Sequence, residues 1–213
     1  MNSKEWTFDV NAIDHKVAQV NFDFGSNYEE VFTALEAETG WEPYGQYAVT
    51  PNHREDWQGY RYKLYNPNNP LLKEIVQYFA SEETKRMVVD ALYAYKSDMA
   101  EKWGMPAEQM YDNVTLHGEL TKDMPGFENG IHCDFRRLVA TGMIFFTNED
   151  NVDHATHFYS NPQRDNPIQI PSNFGEGWLH ANDWDTWHDG WNRTDKVRYS
   201  MLLGLTLRLA TDS

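Results

Sequence analysis

The sequence predicts a mainly β chain with its helices gathered on the N-terminal side, an α+β organisation in a single domain of 213 residues. Three observations carry this expectation. After residue 110 the chain breaks into short β-rich runs at 114–120, 130–135, 138–147, 155–159, 176–181 and 197–208. Gly, Pro and Asn separate them, and no helical repeat intervenes, as in a sandwich or barrel. Before residue 110, apolar residues recur at helical spacing. Finally, 40% hydrophobic and 15% aromatic residues supply enough apolar surface for one core and exclude disorder. Residues 1–110 are therefore expected to form a helical and loop buttress, and 111–213 the β core.

Residues 17–24 alternate in polarity and read as a strand. Tyr28, Val31, Phe32 and Leu35 then fall on one helical face, with Ser26 or Asn27 as N-cap and Gly40 as stop. Residues 41–69 are rich in Tyr, Trp, Asn and Pro and read as strand and loop, with 60–64 a short strand. Pro70 opens a helix to about Phe79. Ser81 starts a longer one carrying Met87, Val88, Ala91, Leu92, Tyr95 and Met99, which ends near Gly104.

Bulk properties narrow the functional classes. Thirty-three acidic residues against 18 basic ones give a net charge of −15. A phosphate backbone is bound by Lys and Arg, so a nucleic-acid substrate is disfavoured, despite the local pair Arg136-Arg137. Solubility is the plainer reading of the acidity. No apolar run approaches eighteen residues, so no membrane span is expected. The start, Met1 to Trp6, has no apolar segment of the secretory kind. The single cysteine, Cys133, rules out an internal disulfide and suits a reducing cytoplasm.

The chemistry concentrates in Gly130-Ile131-His132-Cys133-Asp134-Phe135, Trp187-His188 and Val197-Arg198-Tyr199-Ser200. Two histidines and a carboxylate are the minimal ligand set of a mononuclear non-haem Fe(II) site with open positions. His132 and Asp134 are two apart, so on a strand both side chains leave one face. His188 follows Asp134 after 53 intervening residues, enough for several strands to return it. Arg198 comes ten residues later and shares a strand face with Ser200, a buried cation and hydroxyl suited to a carboxylate. Cys133 points the other way and reads as a small core residue.

Rivals exist. His53-Arg54-Glu55 lies in a polar loop, whereas His117-Gly118-Glu119 sits on an expected strand with chemically acceptable spacing. His154, His157 and His180 compete with His188 for the third ligand. Arg164 follows His154 by ten residues in a Pro/Asn-rich loop, and Gly190 occupies that place after His180. His180 otherwise reads as a polar strand position near the site. Arg198 has its own alternative, a structural ion pair with one of the many acids. Trp178, Trp184, Trp187 and Trp191 surround His188 in sequence, as a substrate wall or as core and rim packing.

Over residues 110–209 or so, these motifs, with Asn113-Val114-Thr115-Leu116 and Thr141-Gly142-Met143-Ile144-Phe145-Phe146, resemble the 2-oxoglutarate- and Fe(II)-dependent oxygenases. The likeness is to the compact prolyl-hydroxylase-like branch found in bacteria and phages. The resemblance implies a double-stranded β-helix (jelly-roll) core with the metal in its mouth. It maps the catalytic metal ligands onto His132, Asp134 and His188, and the anchor for the 2-oxoglutarate C5 carboxylate onto Arg198 and Ser200. It implies Fe(II), 2-oxoglutarate as cosubstrate, and O2. The reaction it implies is hydroxylation of a peptidyl side chain or a small amino-acid-like molecule. Halogenating relatives carry a small residue in place of the carboxylate ligand, and Asp134 is present. A nucleic-acid-modifying oxygenase, or a catalytically silent β-helix binding module, are the alternatives. Substrate choice is expected to lie in loops 41–69 and 148–174.

Overall fold

The computed structural model describes residues 6–12, 17–25, 28–44, 60–95, 99–134, 138–147, 155–170, 172–182 and 185–208. Two antiparallel sheets face one another. The larger is built, in spatial order, from β1 (Thr7–Ala12), β2 (Ala18–Asp23), β10 (Glu176–Ala181), β7 (Leu138–Phe145), β12 (Arg198–Leu207), β5 (Val114–Asp123), β4 (Arg61–Leu64) and β3 (Glu42–Pro43). The smaller runs β6 (Glu128–His132), β11 (Trp187–Trp191), β8 (Thr156–Tyr159) and β9 (Ile168–Ile170). This is the expected jelly-roll core.

Period-two alternation sorts each central strand into two faces. On β12, Tyr199, Met201, Leu203 and Leu205 enter the outer core. There they meet α2 (Pro70–Phe79) and α3 (Glu82–Tyr95) through Leu72, Ile75, Phe79, Val88, Val89 and Leu92. The intervening Arg198, Ser200 and Leu202 face the smaller sheet, as do Met143 and Phe145 of β7 and Trp178 of β10. Met143, Phe145, Trp178, Phe158 and Ile170 close this inner core. The helices thus seal one side of the large sheet, and the other side lines the chamber between the sheets.

Local chemistry explains the helix ends. The Asn69 side chain accepts from Leu71 N–H and Pro70 takes the first turn of α2, as expected. Ser81 Oγ caps α3 by accepting from Thr84 N–H at 3.2 Å. Val31, Ala34 and Leu35 bury α1 (Tyr28–Ala37), while its expected caps Ser26 and Asn27 lie outside the described residues. Of the helix expected from Ser81 to Gly104, α3 and α4 (Met99–Trp103) are seen, residues 96–98 lying outside the described residues, and α5 (Ala107–Asn113) leads directly into β5. At the β7–β10 junction the backbones approach closely. A Cβ on Gly177 would lie 1.8 Å from the Met143 carbonyl oxygen, so only glycine fits.

Candidate metal centre

His132 ends β6, and Asp134 follows two residues later, just past the strand rather than within it as expected. β11 pairs with β6 so that His188 lies directly across from His132. One ligating atom from each of His132, Asp134 and His188 lies within 4.8 Å of the others. Asp134 Oδ1 is 3.5 Å from His132 Nε2 and 3.8 Å from His188 Nε2. The 53-residue separation in sequence is closed by β7, β8, β9 and β10, and the β6–β11 register shifts just beyond the His188–His132 pair, with the extra residue on β6.

The donor set suits a divalent metal. His132 Nδ1 lies 2.8 Å from the Gly130 carbonyl and His188 Nδ1 lies 3.1 Å from that of Thr186. A carbonyl only accepts, so each Nδ1 carries the proton and each Nε2 presents its lone pair to the centre. Burial, reinforced by neighbouring His132, pushes the His188 imidazole down to about 3, so it is neutral at pH 7. Burial works against ionising Asp134, but His188, His132 and His180 outweigh it and hold the carboxyl well below its ordinary range. The neutral His188 imidazole, the His132 ring and one carboxylate converge here, the donor types a divalent metal takes.

The rivals fall elsewhere. His117 is exposed, its Nε2 3.2 Å from Thr206 Oγ1, while Glu119 accepts from Tyr44 OH at 2.8 Å. His157 leaves the opposite face of β8, 3.3 Å from Asp189 and stacked on Trp191 with ring centroids 4.4 Å apart. His53, Glu55, His154, Trp184 and the pair Arg136-Arg137 lie outside the described residues. The tryptophans do not form one wall. Trp178 packs inside against Phe158, its indole donating to Thr156 Oγ1, whereas Trp191 lies on the outer face beneath Arg193. Cys133 is half-buried, not the core residue expected.

Arg198 and Ser200 are both buried on the inner face of β12. Arg198 sits beside Phe145 of the inner core and donates to Asp123 Oδ2 at 2.7 Å and to the Trp191 carbonyl at 3.0 Å. The ion-pair alternative is therefore realised, with Asp123 as its acid. Sequence reasoning missed Arg61, which pairs with the same Asp123 carboxylate through Nε at 2.5 Å and Nη2 at 2.8 Å. Register explains the meeting, because Asp123 of β5 lies opposite Arg198 on one side and Arg61 on the other. Burial opposes the Asp123 charge, but the two guanidiniums overcome it and lower the carboxyl from its ordinary value. One row further along, Ser200 Oγ lies 2.6 Å from Thr121 Oγ1. The row was invisible beforehand because pairing register across three strands is not written in any one of them.

Fold and centre together define the class of structure: a jelly roll with the architecture of solved 2-oxoglutarate–Fe(II) oxygenases. A Pseudomonas putida prolyl-4-hydroxylase is similar over 97% of this chain and 94% of its own, with a TM-score of 0.55 at 13% identity. A 2OG-Fe(II) oxygenase family oxidoreductase from Burkholderia pseudomallei covers 84% of this chain and 77% of its own (TM-score 0.52, 11% identity). The carbocyclase SnoK from nogalamycin biosynthesis, described as non-haem and alpha-ketoglutarate dependent, covers 90% of this chain and 79% of its own (TM-score 0.53, 11% identity). No protein-family model and no curated protein sequence matches the chain.

Proposed function

We propose that this chain is a non-haem Fe(II)- and 2-oxoglutarate-dependent dioxygenase that hydroxylates a C–H bond of a peptidyl side chain or small amino-acid-like substrate. The observation that carries the reading is the convergence of His132, Asp134 and His188 at 4.8 Å or less inside a jelly roll. When bound, Fe(II) with 2-oxoglutarate and O2 supplies the oxidising power that side chains lack. The residues supply the rest. His132 and His188 offer Nε2, and Asp134 offers Oδ1, from one side, leaving the opposite side for cosubstrate and dioxygen.

Arg198 and Ser200 hold the distal carboxylate of 2-oxoglutarate in this reading. Support comes from their place on the chamber face of β12, where a buried guanidinium and a buried hydroxyl stand two residues apart. Asp123 then serves to fix the guanidinium plane, since it grips Nε and Nη2 of Arg198 while Trp191 takes Nη1. Phe145, Phe158, Met143 and Trp178 exclude water beside the centre, which strengthens every charge interaction there. The net charge of −15 favours peptides and small molecules over nucleic acid as substrate. The test is a screen of peptides, amino acids and oligonucleotides for succinate formation that needs Fe(II) and 2-oxoglutarate together. Turnover with a peptide or amino acid is expected. Absence of succinate with the metal-loaded protein, even the slow substrate-independent kind, would remove the dioxygenase assignment.

A further inference from the structure

The strongest unassigned group is His180, which is wholly buried yet belongs to neither core nor ligand set. It lies on β10 two residues from Trp178, so both side chains point into the chamber between the sheets. The Trp178 ring stacks on it at 5.4 Å and 25°, and Phe158 meets it edge-on at 5.5 Å. A leucine would fill such a place without a desolvation cost. The imidazole instead brings its Nε2 to 3.1 Å from Asp134 Oδ2. Asp134 is thereby approached from two sides: Oδ1 lies 3.5 Å and 3.8 Å from the Nε2 atoms of His132 and His188, while Oδ2 lies 3.1 Å from that of His180.

We infer that His180 is a positioning residue that holds Asp134 as a one-oxygen ligand and so keeps a coordination position open for cosubstrate or dioxygen. The inference rests on the reading of His132, Asp134 and His188 as metal ligands. An ionised carboxylate only accepts hydrogen bonds, so the 3.1 Å contact to Asp134 calls for a proton on His180 Nε2, while Nδ1 lies at the longer distance of 3.3 Å from the Ala181 carbonyl. A nitrogen donating there has no lone pair for a metal, which separates His180 from the ligands despite a ring centroid 4.9 Å from that of His188. An unrestrained carboxylate can rotate to bind through both oxygens, taking a position the reaction needs. Donation to Oδ2 removes that freedom, and the stacked Trp178 and Phe158 keep the imidazole from following.

Two measurements that need no turnover decide it. Histidine-labelled (15N) protein is titrated with Zn(II) and followed by NMR, with single histidine variants assigning the rings. Two rings, His132 and His188, should become Nδ1–H tautomers bound through Nε2, while His180 keeps its Nε2–H signal. A third ring losing that proton to the metal overturns the inference. Next, Co(II) affinity is measured by chelator competition. His180→Phe should weaken binding roughly 10–100-fold, and His180→Gln, which restores an N–H donor, should recover most of it. Unchanged affinity in the phenylalanine variant overturns the inference while leaving the ligand assignment intact. Should wild type itself bind neither Zn(II) nor Co(II), the ligand reading fails and this one with it. The NMR experiment uses the wild-type fold, so it decides even if His180→Phe does not fold.

Discussion

At the residue scale, the proposed centre separates the groups expected to bind metal from the one expected to hold a ligand in place. His132, Asp134 and His188 converge on one point, so replacing any of them with alanine should abolish binding of one Fe(II) per chain. His117→Ala should leave binding unchanged, since that ring bonds Thr206 instead. Isothermal titration with Fe(II) or Co(II) checks both, and loss of binding in His117→Ala alone would mean the wrong strand carries the metal. Arg198 gives a second, independent test. Arg198→Ala should raise the 2-oxoglutarate KM by about one and a half to four decades, from the roughly 2–5 kcal/mol cost of breaking a desolvated charge pair at 1.4 kcal/mol per decade. Metal affinity should hold, and lysine should rescue in part because it keeps charge but not the fork. An unaltered KM would reduce Arg198 to a partner of Asp123.

At the element scale, Glu38 joins the end of α1 to the start of α2. Its carboxylate accepts from the backbone N–H groups of Gly40, Asn68 and Asn69 and from the Asn68 side chain. Burial opposes ionisation, but these donors win and lower the carboxyl from 4.5 to about 2. A depressed folded-state value means the unfolded chain binds the proton more readily. The contribution is therefore complete above pH 4.5 and is lost as pH falls toward 2. Urea midpoints measured across that window should decline with acidity, and Glu38→Gln should flatten the decline; an identical slope in the variant would remove Glu38 from the account. Gly177→Ala should destabilise by about 1–3 kcal/mol or more, since its Cβ meets the Met143 carbonyl.

The legibility of elements follows the same physics. β7, β10 and β12 could be read because they are long or apolar and bounded by turn residues. β11 could not, since Trp187-His188-Asp189-Gly190-Trp191 alternates function and packing rather than polarity. β9 has three residues, too few for a period, and β1 carries Asp9 and Asn11 on its solvent side. The candidate ligands stood out because metal chemistry restricts residue type. Arg61 did not, and of His180 only its place as a polar strand position near the site could be read, because the partners of both depend on which strands become neighbours.

At the scale of the whole molecule, the division into an N-terminal buttress and a C-terminal β core describes the sequence but not the packing. The strands that follow residue 110 in the large sheet, β10, β7, β12 and β5, are flanked on both sides by strands that precede it. β2 pairs with β10 at one edge, and β4 pairs with β5 at the other. The outer face of these four strands is covered by α2 and α3, whose apolar residues share one cluster with Leu116, Leu120, Met201 and Leu203. Arg61 of β4 also supplies half of the charge on Asp123, deep in the other portion. A fragment of residues 111–213 would therefore expose two unpaired sheet edges, an apolar face and a buried carboxylate short of one cation, each of which favours aggregation over folding. The whole chain is expected to unfold in one transition, with coincident midpoints by far-ultraviolet circular dichroism and tryptophan fluorescence. The fragment should show no cooperative transition and should bind an apolar dye. A sigmoidal unfolding curve for the fragment, together with Co(II) binding at wild-type affinity, would show instead that the metal centre folds on its own and that the helices are an addition to it.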